Sequence, residues 1–293
     1  MKYNSSLRFI KVRYAFAGPF LFLFTLVLVY PIFDCFYLSF HYLNVLYPKS
    51  TRFVGLDNWF SLFSDANFLK SLKVGLGYAF YVTIISYVTG LLIAVALDVN
   101  YPGRGVFRSL LLLPWVVPGV VVGLIWRWLF HEEFGILKLA SKATGLPIDI
   151  RMLSQTGTAF WAVIIASVWR NSPFLMLMLL AALQAIPQDV KEAARIDGAT
   201  GFQTFWYVIF PYLRPVTIVS TILIFIWTFN NFDLIWTMTN GGPADATTTV
   251  PLYAYLRGFR GGYLSYAASI SVSMFMLLLA LMVVYLRSYR SYY

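Results

Sequence analysis

Two long stretches without a charged residue restrict what this chain can fold into more than any other feature. They cover residues 17–33 and 264–286. A helix needs about 20 mostly apolar residues to cross the hydrocarbon core of a bilayer. Hydrophobic residues make up 60% of the chain and charged residues 12%, whereas soluble domains have about 45–50% and about 25%. These values exclude a soluble fold, and they exclude disorder because disorder requires low hydrophobicity. They indicate an integral membrane protein.

Six segments are long and apolar enough to span a membrane as helices. They lie at about 17–40, 72–96, 106–130, 159–183, 216–238 and 264–286. Transmembrane β-strands would alternate in hydrophobicity at every second residue, and runs such as LLLLPWVV at 110–117 do not alternate. The sequence therefore predicts an all-α integral membrane protein with six transmembrane helices, which form one domain over residues 17–290.

The charges predict the orientation of these spans. Basic residues and no acid precede the first span, at Lys2, Arg8, Lys11 and Arg13. The first span is longer than the apolar region of a signal peptide and no cleavage site follows it, so we expect an uncleaved anchor. By the positive-inside rule, the tail at 1–16 is cytoplasmic, and an even number of spans returns the C-terminus to the same side. The net charge of +10 is thus explained by membrane topology, and no nucleic-acid partner is expected.

Three of the segments that connect the spans are long, and two of these are external and one is cytoplasmic. We expect short surface helices in the external segments, 41–71 and 130–158. The cytoplasmic connection, 184–215, is more organised, because Pro187 suits a helix start and Gly198 suits a helix stop. These residues predict a helical hairpin that projects into the cytoplasm.

The second helix of this hairpin is predicted from its capping residues and its apolar face. Thr200 and Gln203 have the spacing of a capping box. Four apolar residues at helical spacing follow, Phe202, Phe205, Trp206 and Ile209, and we expect Pro211 and Pro215 to end the helix before the fifth span. From the residues alone, the hairpin either rests on its own helix bundle or docks on a partner.

The first helix and the turn after it resemble the EAA loop of binding-protein-dependent ABC importers. The matching residues are Glu192, Ala193, Ala194, Asp197, Gly198 and Ala199. The likeness is greatest to the carbohydrate permeases of the maltose and glycerol-phosphate type. This chain has VIFP at 208–211 where that family usually has Ile-x-Leu-Pro, a difference in size and not in polarity.

Further segments carry the same resemblance in the expected order over about residues 17–290. They are FVGLDN at 53–58, RGVFR at 104–108 with LPW at 113–115, TFNNFDLIW at 228–236 and TNGGP at 239–243. The resemblance implies the six-helix fold of type I ABC importer permeases. It also implies a second related permease, two ATP-binding subunits, an external solute-binding protein and a location in the bacterial inner membrane.

In the family that the chain resembles, the EAA loop forms the coupling helices that sit in a cleft of the ATPase. The residues suit this role, since Ala193 and Ala194 allow close helix approach and Gly198 allows a sharp turn. Glu192 offers a carboxylate to a partner. Closure of the ATPases can then rock the spans as rigid bodies and switch access between the two membrane faces.

Motifs for catalysis and nucleotide binding are absent from the sequence. The chain has no G-x-x-x-x-G-K-[ST] phosphate loop, no H-E-x-x-H and no G-x-S-x-G. One cysteine and two histidines exclude an internal disulfide and leave little for a metal cluster. We therefore predict that the chain is not an enzyme, holds no cofactor of its own, and depends on partner subunits that bind ATP and Mg²⁺.

Polar residues at membrane depth predict the translocation path, since such groups are costly in a bilayer. In the fifth span, Asn230 and Asp233 share a helix face with Trp227, and Asn231 lies between them. Amide and carboxylate groups beside an aromatic ring suit a sugar. The alternative is a hydrogen-bond network with the partner permease, and we expect packing or pairing for Asp233 in particular.

The fourth span adds Arg170 and Asn171 to the predicted path. A lone guanidinium at mid-span costs about 2.5–3.5 kcal/mol on insertion scales, so Arg170 should face the lumen or pair with a carboxylate such as Asp233. If the substrate is an acidic sugar such as alginate, Arg170 is its natural counter-ion. Arg127, between two tryptophans, is typical of a side chain that snorkels to the interface.

The function that these observations predict is a permease subunit that imports a sugar or oligosaccharide. The alternative is a secondary transporter driven by an ion gradient, which usually contains inverted repeats and carboxylates at broken helices. No convincing repeat relates the first three spans to the last three, and only Asp34 and Asp233 are candidate carboxylates.

Overall fold

The computed structural model describes residues 17–99, 102–145 and 151–290. The predicted cytoplasmic tail, 1–16, lies outside these residues. Twelve helices cover most of the described part of the chain: α1 (Ala17–Ser39), α2 (Asp57–Ser64), α3 (Ala66–Leu97), α4 (Arg104–Val116), α5 (Gly119–Leu129), α6 (Ile136–Thr144), α7 (Thr156–Gln184), α8 (Gln188–Ile196), α9 (Gly201–Phe229), α10 (Asp233–Thr239), α11 (Val250–Tyr255) and α12 (Leu264–Arg290). Short π-helical segments occur within α1 at Thr25–Val29, within α9 at Thr204–Ile209, and after α11 at Leu256–Arg260.

The chain divides into two compact units. Of the described residues, the first unit contains 17–66 and 254–277. In it, α1 leads to a small antiparallel hairpin, β1 (His41–Tyr42) and β2 (Arg52–Phe53), in which His41 faces Phe53, and α2 follows. The apolar window of α1 has no buried residue, as expected of a helix that contacts lipid or another subunit.

Of the described residues, the second unit contains those within 67–253 and 278–290. Its core at one end joins α3, α7 and α9, and consists of Ala94, Leu97, Met176, Leu179, Leu180, Leu183, Ile186 and Leu213. Helices α3 and α7 approach so closely that a Cβ on Gly90 would lie 2.8 Å from the Cβ of Leu175. The hydroxyls of Tyr78 and Ser167 join the same two helices with a 2.6 Å hydrogen bond.

The apolar helices agree with the predicted spans except at the third and the fifth span. Five helices are long and apolar enough to cross a membrane: α1, α3, α7, α9 and α12. The predicted third span, 106–130, is a pair of helices, α4 and α5, that meet at an angle of 96°. The sixth span therefore exists only if this bent pair is counted as one. Pro118 at the break lacks the N–H that a continuous helix would use.

The predicted bounds of the fifth span are wrong at both ends. Helix α9 runs from Gly201 to Phe229 through Pro211 and Pro215, although the sequence predicts that these prolines end the hairpin helix. A π-helical turn precedes Pro211, and in it the Phe210 N–H donates to the Phe205 carbonyl. This wider turn shifts the hydrogen bonds by one residue and accommodates the proline ring. The helix then stops at Phe229 instead of continuing to 238.

Candidate functional site

An open polar cleft lies in the second unit, between α7 and the segment that joins α9 to α10. Its volume is about 320 Å³. All six residues of the predicted substrate path line it: Arg170, Asn171, Trp227, Asn230, Asn231 and Asp233. The lining is completed by Trp115, Thr228 and Phe232. The structure thus brings the predicted residues together at one site.

The two asparagines shape this site by ending one helix and starting the next. The Asn230 side chain donates from Nδ2 to the Ile226 carbonyl at 2.8 Å. The Leu234 N–H donates to Asn231 Oδ1 at 3.3 Å, at the start of α10. The Asn231 oxygen thus accepts from a backbone N–H that the start of a helix leaves without a partner, and the Asn230 amide adds a second hydrogen bond to a carbonyl that also accepts the Asn230 N–H at 3.1 Å. Asn230 and Asp233 therefore share the cleft because the helix breaks between them, and the expectation that they share one continuous helix face is wrong.

Arg170 and Asp233 are both at the cleft but are not bonded to each other. A Cβ placed on Gly119 would lie 3.1 Å from Arg170 Nη1 and 3.4 Å from the Cβ of Asp233, so both side chains flank this glycine. Arg170 is half-buried, and its Nε has no hydrogen-bond partner. Among the described residues neither side chain forms an ion pair, so the predicted pairing with Asp233 is absent and the guanidinium lines the cleft.

Two tryptophans that line the cleft beside these polar groups, Trp115 and Trp227, both contact the ring of Phe174. The Phe174 ring lies 5.5 Å from the Trp115 ring and 5.1 Å from the Trp227 ring, between ring centroids. Trp227 is 47% exposed, so part of its surface remains available to a ligand. Aromatic surface next to amide, carboxylate and guanidinium groups suits a polyhydroxylated ligand.

Sequence reasoning missed Trp115, Thr228 and Phe232 as lining residues. Thr228 Oγ1 accepts a 3.3 Å hydrogen bond from Asn171 Nδ2, which fixes the position of this amide. A signal for Trp115 exists in the sequence, because Pro114 and Pro118 on either side favour a break in the span that would bring its end to the path.

The helical hairpin has the start and the turn that its sequence predicts. Helix α8 follows Pro187 and ends in a Schellman motif, in which the Ala199 N–H donates to the Ala194 carbonyl and the Gly198 N–H donates to the Arg195 carbonyl. Gly198 has a φ of +77°, a conformation that glycine adopts without penalty.

The hairpin's second helix begins with the predicted capping box. The Thr200 N–H donates to Gln203 Oε1 at 2.8 Å, and the Gln203 N–H donates to Thr200 Oγ1 at 3.4 Å. The reciprocal bonds fix the direction in which α9 leaves the turn. The angle of the hairpin is therefore set by local chemistry.

The predicted coupling residues lie mostly on the surface of the hairpin. Glu192, Ala193, Asp197 and Gly198 are exposed, Ala199 is half-buried and Ala194 is buried. The Glu192 carboxylate has no hydrogen bond or ion pair with the described part of the chain. A partner subunit could therefore contact this carboxylate without first breaking an internal bond.

Large apolar side chains are also exposed on the hairpin. Ile196 is 86% exposed, Phe202 74% and Tyr207 80%, and Trp206 is exposed beside Phe202. Phe205 and Ile209 of the predicted apolar face are half-buried within the chain. An exposed apolar cluster of this kind is typical of a protein–protein contact.

An ion pair anchors α8 to the residue that follows α3, Asp98. Lys191 Nζ lies 3.3 Å from Asp98 Oδ2, with side chains 15% and 26% exposed. The same ammonium donates to the Leu183 carbonyl of α7 at 3.3 Å. A movement of α8 would therefore act directly on the ends of two long apolar helices.

Comparison with known families gives one match that covers most of the chain. The model described as "Binding-protein-dependent transport system inner membrane component" matches residues 86–291. These residues include both the hairpin and the cleft.

Relatives match over most of their own length. The trehalose/maltose transport system permease protein MalF of Thermococcus litoralis is 35% identical over 277 residues, which are 94% of this chain and 93% of that protein. The sn-glycerol-3-phosphate transport system permease protein UgpA of Agrobacterium fabrum is 35% identical over 236 residues, 79% of each chain.

A solved structure has the same fold over the full length. It is a chain of a bacterial ABC transporter involved in the import of the acidic polysaccharide alginate, with a TM-score of 0.84, 18% identity and 99% of both chains covered.

Proposed function

The chain belongs to the family of binding-protein-dependent transport system inner membrane components, and we propose that it is the permease subunit of an ATP-driven carbohydrate importer. Its fold is that of type I ABC importer permeases. The family assignment gives no support to the alternative of a secondary transporter driven by an ion gradient.

The observation that carries this proposal is the polar cleft of α7, α9 and α10. It combines an exposed tryptophan with amide, carboxylate and guanidinium groups on and beside helices that are long and apolar enough to cross a membrane, and polar groups are costly within a bilayer unless they have a function. In the proposed role, Asn230, Asn231 and Asn171 bind sugar hydroxyls, and Trp227 stacks on the ring. Asp233 accepts further hydroxyls, and Arg170 binds acidic groups where the sugar has them.

The hairpin supports coupling to separate ATPase subunits. Glu192, Ala193, Ala194, Asp197, Gly198 and Ala199 form the proposed docking surface, with the exposed side chains of Ile196 and Phe202 beside it. The partner subunits bind ATP and Mg²⁺, and this chain transmits their closure to the spans through α8. The chain itself carries out no catalysis in this scheme.

The assembly that we propose contains this permease, a second related permease, two ATP-binding subunits and an external solute-binding protein. It lies in the inner membrane of a bacterium, with both termini and the hairpin in the cytoplasm. Residues 17–290 form the permease domain, and the tail at 1–16 precedes it.

The substrate class that we propose is a sugar or oligosaccharide. The relatives are named for trehalose and maltose and for glycerol 3-phosphate, and the similar fold occurs in an importer of alginate. The cleft accommodates both neutral and acidic saccharides, because Arg170 and Asp233 place charges of both signs at one site.

A pull-down from native membranes tests the assembly. The tagged chain is extracted in a mild detergent, and its partners are identified by mass spectrometry. We expect an ATP-binding subunit and a second six-span protein. Recovery of the chain alone, across several detergents, would contradict the importer assignment.

A transport assay on the purified complex tests the cleft. With the complex in proteoliposomes and the binding protein outside, Asn230→Ala should lower ATP-dependent uptake without changing recovery of the complex. The matched control is Asn67→Ala, an exposed asparagine at the start of α3, which should retain uptake. Equal uptake by both variants would exclude this cleft from the path.

A further inference from the structure

Helix α6 (Ile136–Thr144), between α5 and α7, is amphipathic, and none of its residues is buried. Its apolar face is formed by residues at the helical spacing i, i+3, i+4 and i+7, which are Ile136, Leu139, Ala140 and Ala143. Ile136 is 55% exposed and Leu139 is 53% exposed, and both alanines are exposed. The described part of the chain therefore leaves the apolar face of α6 uncovered.

The charges of α6 are basic and lie away from its apolar face. Lys138 and Lys142 are one turn apart, and the helix contains no acidic residue. Lys142 is exposed and Lys138 is half-buried, and neither forms an ion pair with the described part of the chain. Two acidic residues, Glu132 and Glu133, precede the helix. The helix thus has an apolar side and a basic polar side.

Hydrogen bonds on both sides of α6 in the sequence hold the chain at the start of α7, which is long and apolar enough to cross a membrane. The Ser154 hydroxyl donates to the Glu132 carboxylate, and the Thr158 hydroxyl donates to the Arg151 carbonyl at 2.8 Å. Because Glu132 lies beside the start of α7, α6 begins only four residues from the end of a span. A helix of nine residues is about 13 Å long, so α6 stays close to the membrane surface.

A lipid surface is the partner that matches this pattern. A helix with an apolar side and a lysine-containing polar side lies in the plane of the membrane interface, where its apolar side contacts acyl chains. Lysine side chains beside such a face extend their ammonium groups to the headgroups. Protein interfaces are instead enriched in aromatic residues, Met and Arg and depleted of Lys and Ala. The apolar face of α6 has no aromatic residue and contains two alanines.

We propose that α6 lies in the lipid headgroup region, with its apolar face on the acyl chains and with Lys138 and Lys142 at the phosphates. The contact requires only that α7 crosses the membrane. That the leaflet is the outer one rests on the proposed function, because the importer topology places residues 130–158 outside. In this position α6 fixes the depth of the connection between α5 and α7 relative to the bilayer.

Fluorescence quenching on the whole importer tests this contact. In a Cys35→Ser background, the fluorophore NBD is attached to Ala140→Cys or to Lys142→Cys, and the complex is placed in lipid nanodiscs. Both positions are exposed and lie about 200° apart around the helix, so the second is the matched control. At Ala140→Cys we expect emission at shorter wavelength, strong quenching by lipids with a doxyl group on the acyl chain, and protection from aqueous iodide. At Lys142→Cys we expect iodide to be the stronger quencher.

A double variant tests the contact of the lysines with phosphates. In nanodiscs that contain anionic phosphatidylglycerol, Lys138→Gln with Lys142→Gln should lower the doxyl quenching at Ala140→Cys, because the attraction to the lipid surface is weakened. The matched control is Lys49→Gln with Lys73→Gln, which removes the same charge from two exposed positions outside α6 and should leave the quenching unchanged. Equal quenching in the two double variants would overturn the phosphate contact.

The quenching pattern also separates lipid from the other partners. Equal iodide quenching at Ala140→Cys and Lys142→Cys would overturn the proposal, since α6 would then lie in water. Protection of Ala140→Cys from both quenchers, or loss of its doxyl quenching when the binding protein is added, would overturn it in favour of a protein contact. None of these results would change the importer assignment. Failure to recover ATPase partners in the pull-down would instead contradict the proposed function and leave the lipid contact standing.

Discussion

At the scale of single residues, Arg170 is the side chain that bears most directly on substrate charge. It lies in the middle of α7, and its Nε is buried without a partner. A guanidinium in this position is stabilised either by a fixed carboxylate or by a polar lumen. Asp233 lines the same cleft but does not pair with Arg170. The geometry therefore favours stabilisation of the guanidinium by a polar lumen.

Replacement of Arg170 should therefore affect acidic substrates most. We expect Arg170→Ala to reduce uptake of an acidic saccharide about 10- to 100-fold, since a hydrogen bond to a charged group contributes about 1.5–3 kcal/mol. Uptake of a neutral saccharide should fall less, and Arg170→Lys should recover part of the loss. Uptake by proteoliposomes gives the measurement, with recovery of the folded complex as the control. Loss of folded protein in both variants would indicate a structural role.

Gly198 is the hairpin residue whose backbone conformation most restricts which side chains the position can accept. Its φ of +77° costs a residue with a side chain about 1–2 kcal/mol. We expect Gly198→Leu to insert normally but to retain less ATPase on co-purification, because the Schellman turn is distorted. Gly201→Leu is the matched control, since that glycine also has no neighbour near its missing Cβ and does not have a positive φ. Equal ATPase retention by the two variants would refute the coupling role of the turn.

At the scale of elements, local signals located the hairpin and the start of α9, and they failed at the prolines within α9 and at its C-terminal end. Pro187, Gly198 and the Thr200–Gln203 pair determine caps through bonds to neighbouring residues, so their effect can be read from the sequence. The passage of α9 through Pro211 could not be read in this way. It depends on a π-helical turn, which has no distinctive composition.

The ion pair between Lys191 and Asp98 should link α8 mechanically to the long helices. We expect Asp98→Asn and Lys191→Met each to lower the substrate imported per ATP hydrolysed, because α8 can then move without α3. The loss of stability should be about 1 kcal/mol, since both side chains are partly exposed to solvent. Thermal unfolding and coupled transport are measured on each variant.

A charge exchange provides the control for this pair. The double variant Asp98→Lys with Lys191→Asp restores the attraction at the same place, so it should recover coupling that either single variant loses. If the singles and the double behave as additive changes, the pair does not transmit movement.

At the scale of the whole molecule, the composition predicts the class of protein. The positions of the apolar segments in the sequence do not by themselves predict the substrate path. The apolar runs predicted a helical membrane protein, and the five long helices agree. The six residues predicted for the path were selected by the cost of polar groups at membrane depth, a criterion that holds whether or not the helix is continuous, and the structure places all six at one cleft. The 96° bend between α4 and α5 was missed because apolarity does not distinguish a broken span from a straight one. Trp115 was missed with it.

The orientation in the membrane is the last property that the importer requires, since the hairpin can meet ATPases only in the cytoplasm. The chain has a single cysteine, Cys35, so Cys35→Ser provides a background for site-directed labelling. In intact spheroplasts, a membrane-impermeant maleimide should label Lys142→Cys on α6 and should not label Arg195→Cys on α8. Both side chains are exposed in the isolated chain. Because α8 belongs to the proposed docking surface, labelling of Arg195→Cys after permeabilisation is the control that separates the side of the membrane from burial under a partner. Permeabilised cells should label both. Labelling of Arg195→Cys from outside would invert the topology, and the hairpin could then not couple transport to ATP hydrolysis.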